Sequence, residues 1–303
     1  MDRKVMIAFD GSENSKDGLE LGEQLCELFD AQPLVATAVE FPLYLLNPGD
    51  LTAAMSEATG PVLAEAKARL EPREVDTRML LDQSPARAIQ AVAEETQPLV
   101  IVAGSSHRGG IGRVFLGSVS RKLLDGSPVP VAIAPKGYAG RGKAISKICV
   151  AIDESEESER ALEEAIAIAR PSASRLTIVS VMRFPSEGYG SLSGYATEDF
   201  DVLQRQNTAR LLEEAEKRVP IGIPVEIHRL EGNPAEELAK YSKSFDLMIM
   251  GSRGYGPIRR VMLGGVAAAL INSAQCPLLV LPRQSAKENL IFDPITHADS
   301  FSE

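Results

Sequence analysis

Two stretches of the chain combine glycine, hydroxyl and cationic residues in an order suited to gripping a polyphosphate. The first runs Gly104, Ser105, Ser106, His107, Arg108, Gly109, Gly110, Ile111, Gly112, Arg113 and on to Leu116, Gly117, Ser118, Val119 and Ser120. Glycines let backbone N–H groups approach an anion, and a helix start supplies N–H groups without carbonyl partners. Ser118 and Ser120 add hydroxyls, and Arg113 adds charge. The second stretch runs Gly251, Ser252, Arg253, Gly254, Tyr255, Gly256, Pro257, then Leu263, Gly264, Gly265, Val266 and Ala267. Gly265 and Ala267 stand where Ser118 and Ser120 stand, so this copy keeps its backbone donors and loses the hydroxyls. An acid accompanies each stretch: Asp10 in Asp10-Gly11-Ser12-Glu13 and Asp153 in Asp153-Glu154-Ser155-Glu156. Each is suited to touch a polar ligand. Each also has Glu three residues on, as in a capping box, so the acids read equally as caps of the helices that follow.

Other reactive types are poorly placed for chemistry. His107 has no acid within its loop to orient it and reads as a loop residue, not a catalyst. With His228 and His297 far away in the sequence, no metal set forms. Gly137-Tyr138-Ala139-Gly140-Arg141-Gly142-Lys143-Ala144 nearly spells a P-loop, but Ala144 cannot hold Mg²⁺ and the segment leads into a strand. Cys26, Cys149 and Cys276 sit in or beside apolar runs without clip or redox spacing, and read as small buried hydrophobes in a reducing compartment.

The elements that must position these residues occur twice. Val5-Met6-Ile7-Ala8-Phe9-Asp10 resembles Ile148-Cys149-Val150-Ala151-Ile152-Asp153, and Gly104 to Pro135 resembles Gly251 to Pro282. A weaker block pairs Ser84-Pro85-Ala86 with Asn233-Pro234-Ala235. Three collinear blocks make a duplicated domain of about 140 residues. In the first half, strands are predicted at 4–9, 33–39, 75–81, 99–103 and 129–134, and helices at 14–29, 51–70, 85–95 and 117–125. Ser84 and Pro85 suit the cap and first position of the third helix. The second half repeats the order. Runs such as Val100-Ile101-Val102 and Leu247-Met248-Ile249-Met250 are aliphatic throughout, as in strands covered on both faces. The fold class is α/β: two tandem doubly wound, Rossmann-like parallel-sheet domains. Boundaries are drawn at 1–139 and 144–283, with a Gly-rich, charged linker over 136–145 and a loose polar tail over 284–303. In such sheets ligands bind beyond the carboxyl ends of the strands where strand order reverses, which is where the two glycine stretches and the two acids fall.

At these residues the chain resembles the universal stress protein family, over nearly its whole length and as two copies. The family's ATP pattern is Gly, two residues, Gly, nine residues, Gly, then Ser or Thr. Gly251, Gly254 and Gly264 fit it, with Gly265 replacing the hydroxyl; Gly104, Gly117 and Ser118 fit it, with His107 at the second Gly. The resemblance implies ATP as the ligand, with Mg²⁺ arriving on the triphosphate. It implies that Asp10 or Asp153 meets the adenine or ribose, and that Val39 or Val181 contacts the base. With Arg113 and Ser120, read above from their charge and hydroxyl, the candidate site takes in Val119 in one half and Arg253 and Val266 in the other. It further implies halves packed through their last strands in pseudo-two-fold fashion, a homodimer, and a regulatory stress protein that signals by occupancy. Two alternatives stay open: a slow ATPase or adenylyl-transfer enzyme on the same scaffold, and a ligand-free interaction module with decayed sites. Without a general base near the loops or a P-loop lysine, the expectation is a protein that is not an enzyme.

Composition bounds the partners. A net charge of −10 and pI ≈ 5.0 argue against a nucleic-acid-binding face. No apolar run reaches the ~18 residues of a membrane span, and the first residues enter a strand without a leader pattern. The expected setting is the cytoplasm.

Overall fold

The computed structural model describes residues 3–40, 48–106, 112–114, 117–141, 144–183, 197–252, 264–282 and 290–292. In chain order the first half is β1 (Lys4–Ala8), α1 (Glu13–Phe29), β2 (Gln32–Glu40), α2 (Pro48–Leu70), β3 (Asp76–Asp82), α3 (Pro85–Thr96), β4 (Val100–Gly104), α4 (Ser118–Leu124) and β5 (Val131–Ala134). The second half is β6 (Lys147–Ala151), α5 (Glu156–Ser172), β7 (Arg175–Met182), α6 (Thr197–Lys217), β8 (Val225–Glu231), α7 (Pro234–Ser242), β9 (Leu247–Gly251), α8 (Gly265–Leu270) and β10 (Leu278–Leu281). Each predicted element is present, with ends displaced by a few residues.

All these strands form one ten-stranded sheet in the order β3-β2-β1-β4-β5-β10-β9-β6-β7-β8. Pairing is parallel within each half and antiparallel where β5 meets β10, with Leu278 opposite Ile133 and Val280 opposite Val131. The halves are thus joined through their last strands about a pseudo-two-fold axis. Every residue of β5 and β10 is buried, which explains their unbroken aliphatic sequences. Each Val, Leu or Ile on this seam stabilises by about 1.5–3 kcal/mol relative to its exposed state.

Two cores flank the sheet. One joins Leu21, Leu25, Leu63 and Leu70 of α1 and α2 to Ala165, Ile168 and Leu212 of α5 and α6. The other holds Ile89 and Leu124 of α3 and α4 with Leu238 and Leu270 of α7 and α8. Along β4, Val100 and Val102 face the first core while Ile101 and Ala103 face the second, as a doubly covered strand requires. All three cysteines are free and buried. Burial pushes the Cys26 thiol up to about 12 and also raises those of Cys149 and Cys276, so none forms a thiolate readily.

Within the predicted linker the backbone is held over 137–139: buried Asp17 of α1 accepts the N–H groups of Gly137 at 2.8 Å and Ala139 at 2.7 Å. Between them Tyr138 is buried, and its hydroxyl donates to Gln24. The expected loose tail is corrected at 290–292 alone, where Phe292 is 2% exposed; the remainder of 284–303 lies outside the described residues.

Candidate functional site

The sheet order reverses twice. In the first half β2 and β3 lie on one side of β1, and β4 and β5 on the other; β6 and β9 repeat the arrangement. Ile7 of β1 pairs with Val102 of β4, and Val150 of β6 with Ile249 of β9. Asp10 and Gly104 therefore lie past the same end of neighbouring strands, as do Asp153 and Gly251. Val39 and Val181 sit near the carboxyl ends of β2 and β7, opposite Leu81 and Leu230. Both are partly exposed. Topology thus brings Asp10, Val39 and Gly104 to one end of the first half's strands, and Asp153, Val181 and Gly251 to the matching end of the second.

Asp10 is exposed at its mouth, and its Oδ1 accepts the N–H of Ser12 at 3.0 Å. Desolvation pushes its carboxyl up, but hydrogen bonds from Ser12 and Ser15 outweigh this and hold it below the ordinary carboxylate value. Asp153 repeats the turn, accepting the N–H of Ser155 at 3.0 Å and also its hydroxyl. The capping reading of the two acids is corrected. The N-caps of α1 and α5 are Ser12 and Ser155, whose hydroxyls accept the N–H groups of Ser15 and Ser158. Each Asp holds its cap residue from two positions before, which leaves it at the mouth and not on the helix end. Ser84 does precede α3 with Pro85 at the first position, but makes no side-chain cap bond.

The glycines divide into two groups. A Cβ on Gly104 would stand 1.7 Å from the Asn14 carbonyl oxygen, and one on Gly251 would stand 2.7 Å from that of Glu157. Both are glycine because α1 and α5 start directly over the ends of β4 and β9. Packing accounts for them without any ligand. Gly117, Gly264 and Gly265 differ. Gly117 and Gly264 have φ of −76° and −71°, which any residue adopts. A Cβ on Gly117 would come no nearer than 3.8 Å to Ser106, and one on Gly265 meets nothing within 4 Å. Neither strain nor crowding among the described residues asks for glycine at Gly117 or Gly265.

The hydroxyls part as well. Ser118 opens α4 and is exposed, whereas Ser120 is 5% exposed and donates to the Gly104 carbonyl at 2.9 Å. The expectation that both face a phosphate is corrected for Ser120: its one proton is committed to the end of β4. Two residues are more than half a helical turn, so the pair points in different directions. Val119 and Val266 are partly exposed, and Gly265 is exposed. Arg113 is exposed, with its carbonyl accepting the N–H of Lys136 at 3.1 Å, while the N–H of Gly112 donates to the Lys136 carbonyl at 2.7 Å. Next to it, buried Val114 donates its N–H to the carbonyl of Ala274 in the second half at 2.8 Å. Sequence reading missed that tether because its acceptor is a backbone atom. His107, Arg253 and Gly254 lie outside the described residues.

Among the described residues no group of His, Cys, Asp and Glu could hold a metal ion, and no helix is long and apolar enough to cross a membrane. The start of α4, with the exposed Ser118, is thus tied through Ser120 to the end of β4, past the same end of the sheet as Asp10.

The model of the universal stress protein family matches residues 1–135 and again 144–282. Universal stress protein Rv2005c of Mycobacterium tuberculosis is 30% identical over 210 residues, covering 68% of each chain. Universal stress protein YxiE of Bacillus subtilis is 32% identical over 145 residues, which is 45% of this chain and 98% of that one. In three dimensions the chain is similar to a universal stress protein from Archaeoglobus fulgidus, with TM-score 0.66 and 26% identity, over 93% of this chain and 98% of the other.

Proposed function

The chain belongs to the universal stress protein family as a tandem of two such domains, and from that premise we propose that it is a nucleotide-binding regulatory protein of the stress response, acting through occupancy and not turnover. The observation that carries this reading is the pair Gly117 and Gly265. Among the described residues, neither has a steric or conformational reason to be glycine at the mouth of a doubly wound sheet. Side-chain-free backbone there serves close approach by a ligand.

In this reading ATP lies across the first-half mouth. The N–H groups of Gly117 to Val119 and the Ser118 hydroxyl face its phosphates, Arg113 adds charge, Asp10 meets the ribose or adenine, and Val39 touches the base. Mg²⁺ is bound through the phosphates. Gly104 and Ser120 then shape the site without touching the ligand: one admits α1, and the other ties the start of α4 to the end of β4. The second half offers Asp153, Val181 and the backbone of Gly264 to Val266, without the hydroxyl. The first half is therefore the stronger site. Assembly as a homodimer and residence in the cytoplasm belong to the same reading.

Mass spectrometry of the small molecule that co-purifies with the chain, followed by melting with ATP and AMP, tests it. Ligand at a hundredfold excess over Kd raises apparent stability by about 2.7 kcal/mol. The shift should shrink most in Gly117→Asp, less in Gly264→Asp, and vanish when both are combined. A chain that carries no nucleotide and melts identically with and without either compound would leave the ligand-free scaffold as the correct reading.

A further inference from the structure

The three described tail residues occupy a groove made by both halves. Phe292 stacks on Phe29, the last residue of α1, with ring centroids 4.4 Å apart and planes inclined by 29°. Behind it lies Glu164 of α5, whose side chain is 0% exposed. One Glu164 oxygen accepts the N–H of Ile291 at 2.8 Å, and the other accepts the N–H of Phe292 at 3.1 Å. Arg160, one turn earlier on α5, places its guanidinium 3.3 Å from the same carboxylate. From the first half, the Arg3 guanidinium donates to the Phe292 carbonyl at 3.5 Å. Leu290 and Ile291 add partly buried contacts to the same core.

A buried carboxylate needs partners for both oxygens. Here the tail backbone supplies one to each, so the acid is arranged for a bent segment whose consecutive N–H groups point the same way. The aromatic platform lies on one domain and the carboxylate on the other, on helices α1 and α5 that touch each other. Such a pairing of a backbone reader with a ring pocket is the chemistry of peptide recognition.

We infer that the groove between α1 and α5 is a peptide-docking site, filled in cis by the segment around Phe292, and that this segment clasps the two domains together. The site reads one aromatic side chain and the two N–H groups at and before it. It is separate from the sheet mouths and does not depend on a nucleotide.

The test uses full-length protein and amide hydrogen exchange read by mass spectrometry. Phe292→Ala should speed exchange at least tenfold at the end of α1 around Phe29 and in α5 around Glu164, with Phe292→Leu intermediate. A synthetic peptide spanning residues 286–296, added to the Phe292→Ala chain, should restore slow exchange at both places. The same peptide with alanine in place of its Phe should not, and neither should the native peptide on a Phe292→Ala chain that also carries Glu164→Ala. Unchanged exchange in Phe292→Ala, or failure of the native peptide to restore it, overturns the assignment.

Discussion

The carbonyl oxygen of Asn14 lies where a side chain on Gly104 would begin, 1.7 Å from its Cβ position. The first turn of α1 and the end of β4 are so close that only hydrogen fits between them. The contact is backbone to backbone, so no rotamer change relieves it. Gly104→Ala must therefore move the helix, at a cost of about 3 kcal/mol. Chemical denaturation should show that loss with no ligand present. Gly117→Ala, in an uncrowded position, should cost under about 1 kcal/mol. Equal losses for the two variants would undo the distinction between packing glycines and mouth glycines.

Ser118 and Ser120 should respond oppositely to replacement by alanine. Ser120→Ala removes a buried bond to the Gly104 carbonyl and should lower stability by about 1 kcal/mol while leaving nucleotide affinity within about twofold. Ser118→Ala should leave stability unchanged and weaken binding about fivefold, the worth of one neutral hydrogen bond. Calorimetric titration and urea melts on both variants give the comparison.

Asp17 should behave as a clamp on the linker. Its carboxylate takes two backbone N–H bonds from Gly137 and Ala139. Charge-assisted bonds contribute more than neutral ones, so Asp17→Ala should cost about 2–3 kcal/mol. It should also open the backbone near Tyr138 to limited proteolysis. Asp17→Asn keeps one acceptor and should lose about half as much.

Glu164 gives a dependence on pH. Its burial raises the carboxyl above the ordinary value, with the N–H groups of Ile291 and Phe292 and the charge of Arg160 opposing and Glu163 reinforcing. Arg218 neutralises Glu163 on its outer side. Folding therefore takes up a proton, so the contribution of Glu164 is fully present below its ordinary value and is lost as pH rises through the raised one. Glu164→Gln stays neutral throughout. Its stability relative to the native chain should rise over the interval from the ordinary carboxylate value up through the raised one. A relative stability that falls over that interval would mean that the tail N–H groups outweigh burial.

The strands and helices were legible because their signals are local. Val100-Ile101-Val102 is aliphatic because β4 is covered on both faces, and the spacing of Leu21, Leu25 and Leu28 follows one face of α1. The duplication placed the two mouths. What sequence reading missed is long-range and falls on backbone atoms. Asp17 and Glu164 look like ordinary helix acids, since their partners are N–H groups 120 and 127 residues away, and an N–H is the same in every residue but proline. Ser120 was misjudged because its type suits a phosphate, while its direction is set by helical rotation. Phe292 ends the short apolar run Leu290-Ile291-Phe292 in an otherwise polar stretch, and the Phe29 ring and the Glu164 carboxylate that give it a place are more than a hundred residues away.

The junction of β5 with β10 decides what each half is free to become. A strand that must meet its own copy is answerable to itself: any change appears twice at the contact. Here Ile133 faces Leu278 and Ala132 faces Leu279, so each side has a partner of different sequence. Fusing the halves in one chain holds them at equal numbers and releases them from resembling one another. One half can then keep the hydroxyl of Ser118 while the other carries Gly265 at the same place, and the molecule acquires two unequal ends from a single ancestral plan.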